Sequence, residues 1–183
     1  SETEAEIDGM GDLVDAAQVP ETRIKFQDQA GVPAEVLNPT IMMLNLTGTD
    51  KEVIQASSSA YNDWLSEFTS YNPKRLLGTG VVPIYDVEWG IRELNRIARN
   101  GLRGAMINVE PPEDCPPYRN KFYDPFWKTA EDLGIPITLH SITGRIPDPL
   151  HFHTQEDLGV APRTWVYLFL EIVGAFANEF IFG

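Results

Sequence analysis

Four short apolar runs, at residues 34–37, 76–84, 104–109 and 135–142, alternate with segments of helical periodicity, and this alternation constrains the fold more than any other feature. Strand, helix and strand in that order imply parallel strands joined by right-handed crossovers. The helical segments carry their own punctuation. Residues 21–30 follow Pro20 and end at Gly31, while Asn38-Pro39-Thr40 stops the first strand. Over 50–70, Tyr61, Trp64, Leu65 and Phe68 recur at helical spacing before Tyr71-Asn72-Pro73, where proline cannot continue a helix. Asp86 can cap a helix with Val87, Ile91, Leu94 and Ala98 on one face, ended by Asn100-Gly101. Asp124-Pro125 starts another, with Phe126, Trp127, Ala130 and Leu133 inward and Gly134 as its stop. Trp165, Leu168, Phe169, Ile172 and Phe176 mark the inner side of a last helix.

Two architectures bury such a sheet on both faces: a barrel ringed by helices and an open doubly wound sheet. Neither G-x-G-x-x-G nor G-x-x-x-x-G-K-[ST] occurs, so the phosphate loop that commonly opens the second is missing and the barrel is preferred. An eight-unit barrel takes about 250 residues. The expectation for 183 residues is therefore one incomplete α/β domain over 1–183, a partial (β/α)8 TIM barrel. Its open strand edges call for a cover, such as a second copy in a homo-oligomer. Residues 1–19 read as an acidic, mobile arm, because Glu2, Glu4, Glu6, Asp8, Asp12 and Asp15 come without any Lys or Arg.

Charge and cysteine content narrow the partners. Against 14 Lys and Arg stand 27 Asp and Glu, a net charge of -13 that repels nucleic acid and anionic lipid, and the basic residues form no patch. A small-molecule substrate is the expected partner. Cys115 is the only cysteine, so no internal disulfide can form and a reducing, cytoplasmic setting is the simpler reading. In its proline-rich loop Cys115 has no base nearby in sequence and reads as an incidental thiol. The most apolar stretch, 165–182, carries Glu171 and Glu179 and reads as a buried helix, not a membrane span.

In barrels the chemistry gathers where strands end and their following loops begin. Those ends are Asn38-Pro39-Thr40, Pro83-Ile84, Asn108-Val109-Glu110 and His140-Ser141, with Thr143 and Arg145 just beyond. Among them only His140 is a ready transition-metal ligand. Spacing alone leaves a ligand and a structural histidine equally open. Arg145, Asn108 and Glu110 are the candidate substrate-binding residues: Arg145 could grip a carboxylate bidentately, although an exposed loop arginine and a solvated rim carboxylate are the plainer assignments. Trp64, Trp127 and Trp165 lie on apolar helical faces and read as packing residues.

Asn38-Pro-Thr, Tyr61-Asn-Asp-Trp-Leu-Ser-Glu-Phe, Asn72-Pro-Lys-Arg-Leu-Leu-Gly, Gly101-Leu-Arg-Gly-Ala-Met-Ile, Tyr123-Asp-Pro-Phe-Trp and Leu133-Gly-Ile-Pro-Ile-Thr-Leu-His together resemble the amidohydrolase-related family, in the branch of aminocarboxymuconate-semialdehyde decarboxylase. The resemblance runs from Arg23 to His140 in consistent order and more weakly through the last helix. It implies that the chain covers roughly strands 2 to 5 of the barrel and the following helix. It further implies one divalent metal, zinc first and manganese as the alternative, serving hydrolysis or non-oxidative decarboxylation of a small carboxylate, lactone or amide. His140 matches the fifth-strand ligand. The family's first-strand H-x-H or E-x-H pair, its histidine after strand six and its aspartate after strand eight have no counterpart that can be assigned.

Catalytic zinc takes three protein ligands and an open position, so a single imidazole would hold metal weakly. Residues 106–110 offer no lysine for a carbamate bridge, which favours one metal over two. His151-Phe152-His153 imitates the H-x-H pair but lacks the preceding apolar run, and belongs better, with Arg145, to a loop covering substrate. A metal-dependent hydrolase or decarboxylase is thus the leading reading. A non-catalytic half-barrel acting as an assembly subunit is the alternative, and a sugar isomerase would want more acidic residues at strand ends than Glu110 alone.

Overall fold

The computed structural model describes residues 14–40, 42, 46, 48–111, 114–140, 143 and 174. Helix α1 (Pro20–Ala30) leads to strand β1 (Glu35–Leu37), α2 (Lys51–Ser70) to β2 (Leu76–Val81), α3 (Val87–Arg99) to β3 (Gly104–Ile107), and α4 (Asp124–Leu133) to β4 (Ile137–Leu139). The strands form one sheet in the order β1-β2-β3-β4. Every pairing is parallel, with Leu37 opposite Gly78, Val81 opposite Met106 and Met106 opposite Thr138. Consecutive strands as neighbours, each reached through a helix, are the arrangement of a partial (β/α)8 barrel.

The capping signals act as their chemistry dictates. Asp50 accepts from the backbone N–H groups of Glu52 and Val53, and Asp86 from that of Trp89, so both helices start on a carboxylate. At the far end of α4, Gly134 adopts a φ of 64°, which an L side chain resists.

Strand residues alternate between two faces. Val82, Ala105 and Ile107 join Leu65, Leu94, Ile97 and Phe126 in the core between sheet and helices. Val81 and Met106 point the other way and pack with Leu46 and Ile54. Gly78 lies on the helical side, where a Cβ would stand 2.7 Å from Leu102 Cδ2 and 3.0 Å from Leu65 Cγ. Its missing side chain is what lets α2 approach the sheet.

Three differences from the sequence reading stand out. The strands are shorter than 76–84, 104–109 and 135–142, because the chain beyond each ladder turns to bond with rim loops; only Val82 N–H, donating to Met106 O at 2.9 Å, prolongs β2. Residues 14–18, expected in an arm, are helical, and Ala16 is buried; residues 1–13 lie outside the described part. Trp64 is 44% exposed instead of packed, stacked between Tyr61 and Phe68 beside the outer edge of β1. The helix around Trp165 lies outside the described residues.

Candidate active site at the carboxyl ends of the strands

By register, Thr138 shares the face of Met106, so His140, two residues on, leaves β4 on the same inner side as Asn108 does from β3. His140 is half-buried and Asn108 buried. The two strand ends are stitched together through Thr143. Its hydroxyl donates to His140 O at 2.7 Å and accepts from Val109 N–H at 2.9 Å. Asn108 donates its side-chain amide to Thr143 O at 3.2 Å and to Leu46 O at 3.0 Å, tying in the loop that follows β1. Its own carbonyl accepts from the Tyr118 hydroxyl at 2.9 Å. The backbone that carries His140 is therefore fixed by β3, not by its own loop alone.

Asn108 stands at the end of β3 and is joined to the His140 segment through Thr143, with its amide hydrogens engaged in holding the rim. Glu110 is half-buried at the bend after β3. Arg145, His151 and His153 lie outside the described residues. That Thr143 joins two strands was not legible in the sequence, because a threonine in a loop carries no pattern of its own.

A second set of contacts fastens the loops above β2 and β3. The Tyr85 hydroxyl donates to Lys51 O at 2.6 Å, and the Lys51 ammonium pairs with Asp114 while lying 5.4 Å from the Tyr85 ring centre. Cys115 sits beside this cluster. Burial first, and the Asp114 carboxylate second, push its thiol up from the usual range, the opposite of what a nucleophilic thiolate requires.

Among the described residues no group of three or more His, Cys, Asp or Glu is arranged to hold a metal ion. His140 is the one histidine among the described residues. The described residues therefore do not by themselves fit a catalytic metal. No described helix is long and apolar enough to cross a membrane.

A family model described as amidohydrolase matches residues 13–180. The chain belongs to the amidohydrolase family. The chain is 29% identical over 132 residues to the gamma-resorcylate decarboxylase of Rhizobium radiobacter, an alignment covering 67% of this chain and 38% of that one. To the 2-amino-3-carboxymuconate-6-semialdehyde decarboxylase of Dictyostelium discoideum it is 26% identical over 129 residues, covering 66% and 33%. These relatives place it in the branch that the sequence motifs resemble. The crystal structure of a dihydroxybenzoic acid decarboxylase from Polaromonas sp. JS666, with bound manganese and the inhibitor 2-nitroresorcinol, matches with a TM-score of 0.58 and 27% identity, over 71% of this chain and 40% of that one. The chain accordingly spans about two fifths of the length of such relatives.

Proposed function

We propose that this chain is the section of a metal-dependent decarboxylase that presents His140 as one ligand to a divalent cation, and that the substrate is a small hydroxylated aromatic carboxylate. The observation that carries the reading is the placement of His140: inner face, carboxyl end of β4, its carbonyl clamped by the Thr143 hydroxyl at 2.7 Å. That contact fixes the backbone from which the imidazole projects, so only side-chain torsions remain to be ordered on binding a cation. Decarboxylation is preferred over hydrolysis because the relatives named above are decarboxylases. Manganese is the cation of the Polaromonas structure and the first to be loaded; zinc is the second.

A bound divalent cation would supply charge for gripping a carboxylate and a neighbouring hydroxyl. The remaining roles belong to the protein. Asn108 and Thr143 keep the His140 backbone in register with β3, and Val81, Met106 and Leu46 form a buried apolar cluster on the inner face of the sheet. Arg145 and Glu110 are proposed as rim contacts to substrate, Arg145 through the substrate carboxylate.

The test is the metal content of the purified chain and of His140→Ala, by elemental analysis after loading with manganese or zinc and removal of loosely held ions. Near-stoichiometric metal in the wild type, lost in the variant, supports the reading and means that further ligands reach the site. No metal in either chain overturns it in favour of a non-catalytic half-barrel.

A further inference from the structure

β1 ends at Leu37, opposite Gly78, yet β2 runs on to Val81. In a parallel ladder alternate residues of a strand address its two neighbours. Gly78 O accepts from Arg103 N–H at 2.8 Å and Val82 N–H donates to Met106 O at 2.9 Å, both toward β3, so Val81 addresses the side where β1 has stopped. There its N–H donates to Asn62 Oδ1 at 2.7 Å and its carbonyl accepts from Asn62 Nδ2 at 2.9 Å. Asn62 lies in α2 and is 1% exposed. A side-chain amide from an outer helix thus offers one donor and one acceptor where a longer β1 would offer a peptide group.

The amide has one usable orientation, and the structure shows what sets it. Asn62 Nδ2 also donates to Glu93 Oε1 at 2.7 Å. An ionised carboxylate only accepts, so turning the amide over would aim its oxygen at both Glu93 and the Val81 carbonyl. Glu93 is 4% exposed and is held by Arg96, whose Nε donates to Oε2 at 2.8 Å and Nη2 to Oε1 at 2.6 Å. Arg96 in turn pairs with Asp63 and donates to Ser59 O at 3.0 Å, both in α2. The buried charge is compensated, as a buried carboxylate must be.

The geometry points to Asn62 as a positioning residue that replaces a rung of the barrel wall. Oriented by the Glu93–Arg96 pair, it lets β1 part from β2 below the rim while keeping the rim end of β2 in register with β3, beside the face that carries Asn108 and His140. This inference does not depend on the metal reading, and its test does not use metal.

The test is amide hydrogen exchange by NMR on the whole chain. In Asn62→Leu, similar in size but without polar atoms, Val81 N–H should exchange roughly tenfold faster or more, while Ala105 N–H, which donates to Pro136 O, keeps its wild-type rate. Asn62→Asp keeps the shape of Asn62 but sets two carboxylates face to face and turns an oxygen toward the Val81 carbonyl, so it should expose Val81 likewise. A residue that merely filled space would tolerate that isosteric change. Unchanged Val81 exchange in either variant, or an equal acceleration at Ala105, overturns the proposal.

Discussion

Glu35 accepts two of its contacts from Arg23 at 2.6 Å (Nε to Oε1) and 2.9 Å (Nη2 to Oε2), joining α1 to β1. Arg23 is the main reason that the Glu35 carboxyl is held below its ordinary value of 4.5; burial works against it. A carboxyl depressed in the folded state binds fewer protons there than in the unfolded chain. Its contribution to stability is therefore complete above about 4.5 and lost as the pH falls through the folded value. Arg23→Gln should cost about 1 kcal/mol near neutral pH, reduced by salt because the Arg23 side chain is 35% exposed. The gap between wild type and variant in urea midpoint should close as the pH is lowered below that range. A gap that persisted in acid would mean that Arg23 acts through packing and not through charge. His140 was legible at this scale because an apolar run ending in histidine needs no tertiary information. Asn62 and Glu93 were not, because a polar residue inside a helix looks the same in sequence whether it faces water or a strand.

At the scale of elements, periodicity located α3 and the face it turns inward: Val87 and Leu94 are buried, and Ile91 and Ala98 pack half-buried against the core. It missed that Gly90, Glu93 and Ile97 are buried as well. Hydrophobicity alone cannot register that Glu93 is drawn inward by Asn62 and Arg96, nor that Gly90 is buried for lack of a side chain. α2 shows the same effect, with Ser58, Asn62, Ser66 and Thr69 buried among Ile54, Leu65 and Phe68. Strand positions were easier, since parallel strands buried on both faces read as nearly continuous apolar runs. Close packing of α2 on β2 yields a prediction of its own. Gly78→Ala puts a methyl group 2.7 Å from Leu102 and 3.0 Å from Leu65, both 1% exposed and without room to retreat. The expected loss is about 1–3 kcal/mol, read as a lower urea midpoint with unchanged slope. Removing a helix cap is a smaller insult: Asp50→Ala, which deprives the N–H groups of Glu52 and Val53 of their acceptor, should cost about 1 kcal/mol.

Four parallel strands in a row leave β1 and β4 with one strand neighbour each among the described residues. A closed barrel has no such sides, and the chain spans about two fifths of the length of its relatives. On β1, Glu35 N–H donates toward β2, to Arg75 O at 2.9 Å, so the backbone groups of Val36 address the opposite side. Val36 itself is 58% exposed, and Trp64 at 44% and Val19 at 43% add apolar surface. Unpaired strand sides of that kind recruit other strands. The purified chain should therefore self-associate as its concentration rises, seen as a weight-average mass above that of one chain by sedimentation or light scattering. Val36→Lys should suppress the association, because a charge on an edge strand opposes further pairing. It should change the urea midpoint by no more than about 0.5 kcal/mol in equivalent stability, the usual effect of a surface substitution. If Val36→Lys leaves the association intact, the contact lies elsewhere, and the side of β4 without a strand neighbour among the described residues becomes the surface to charge next.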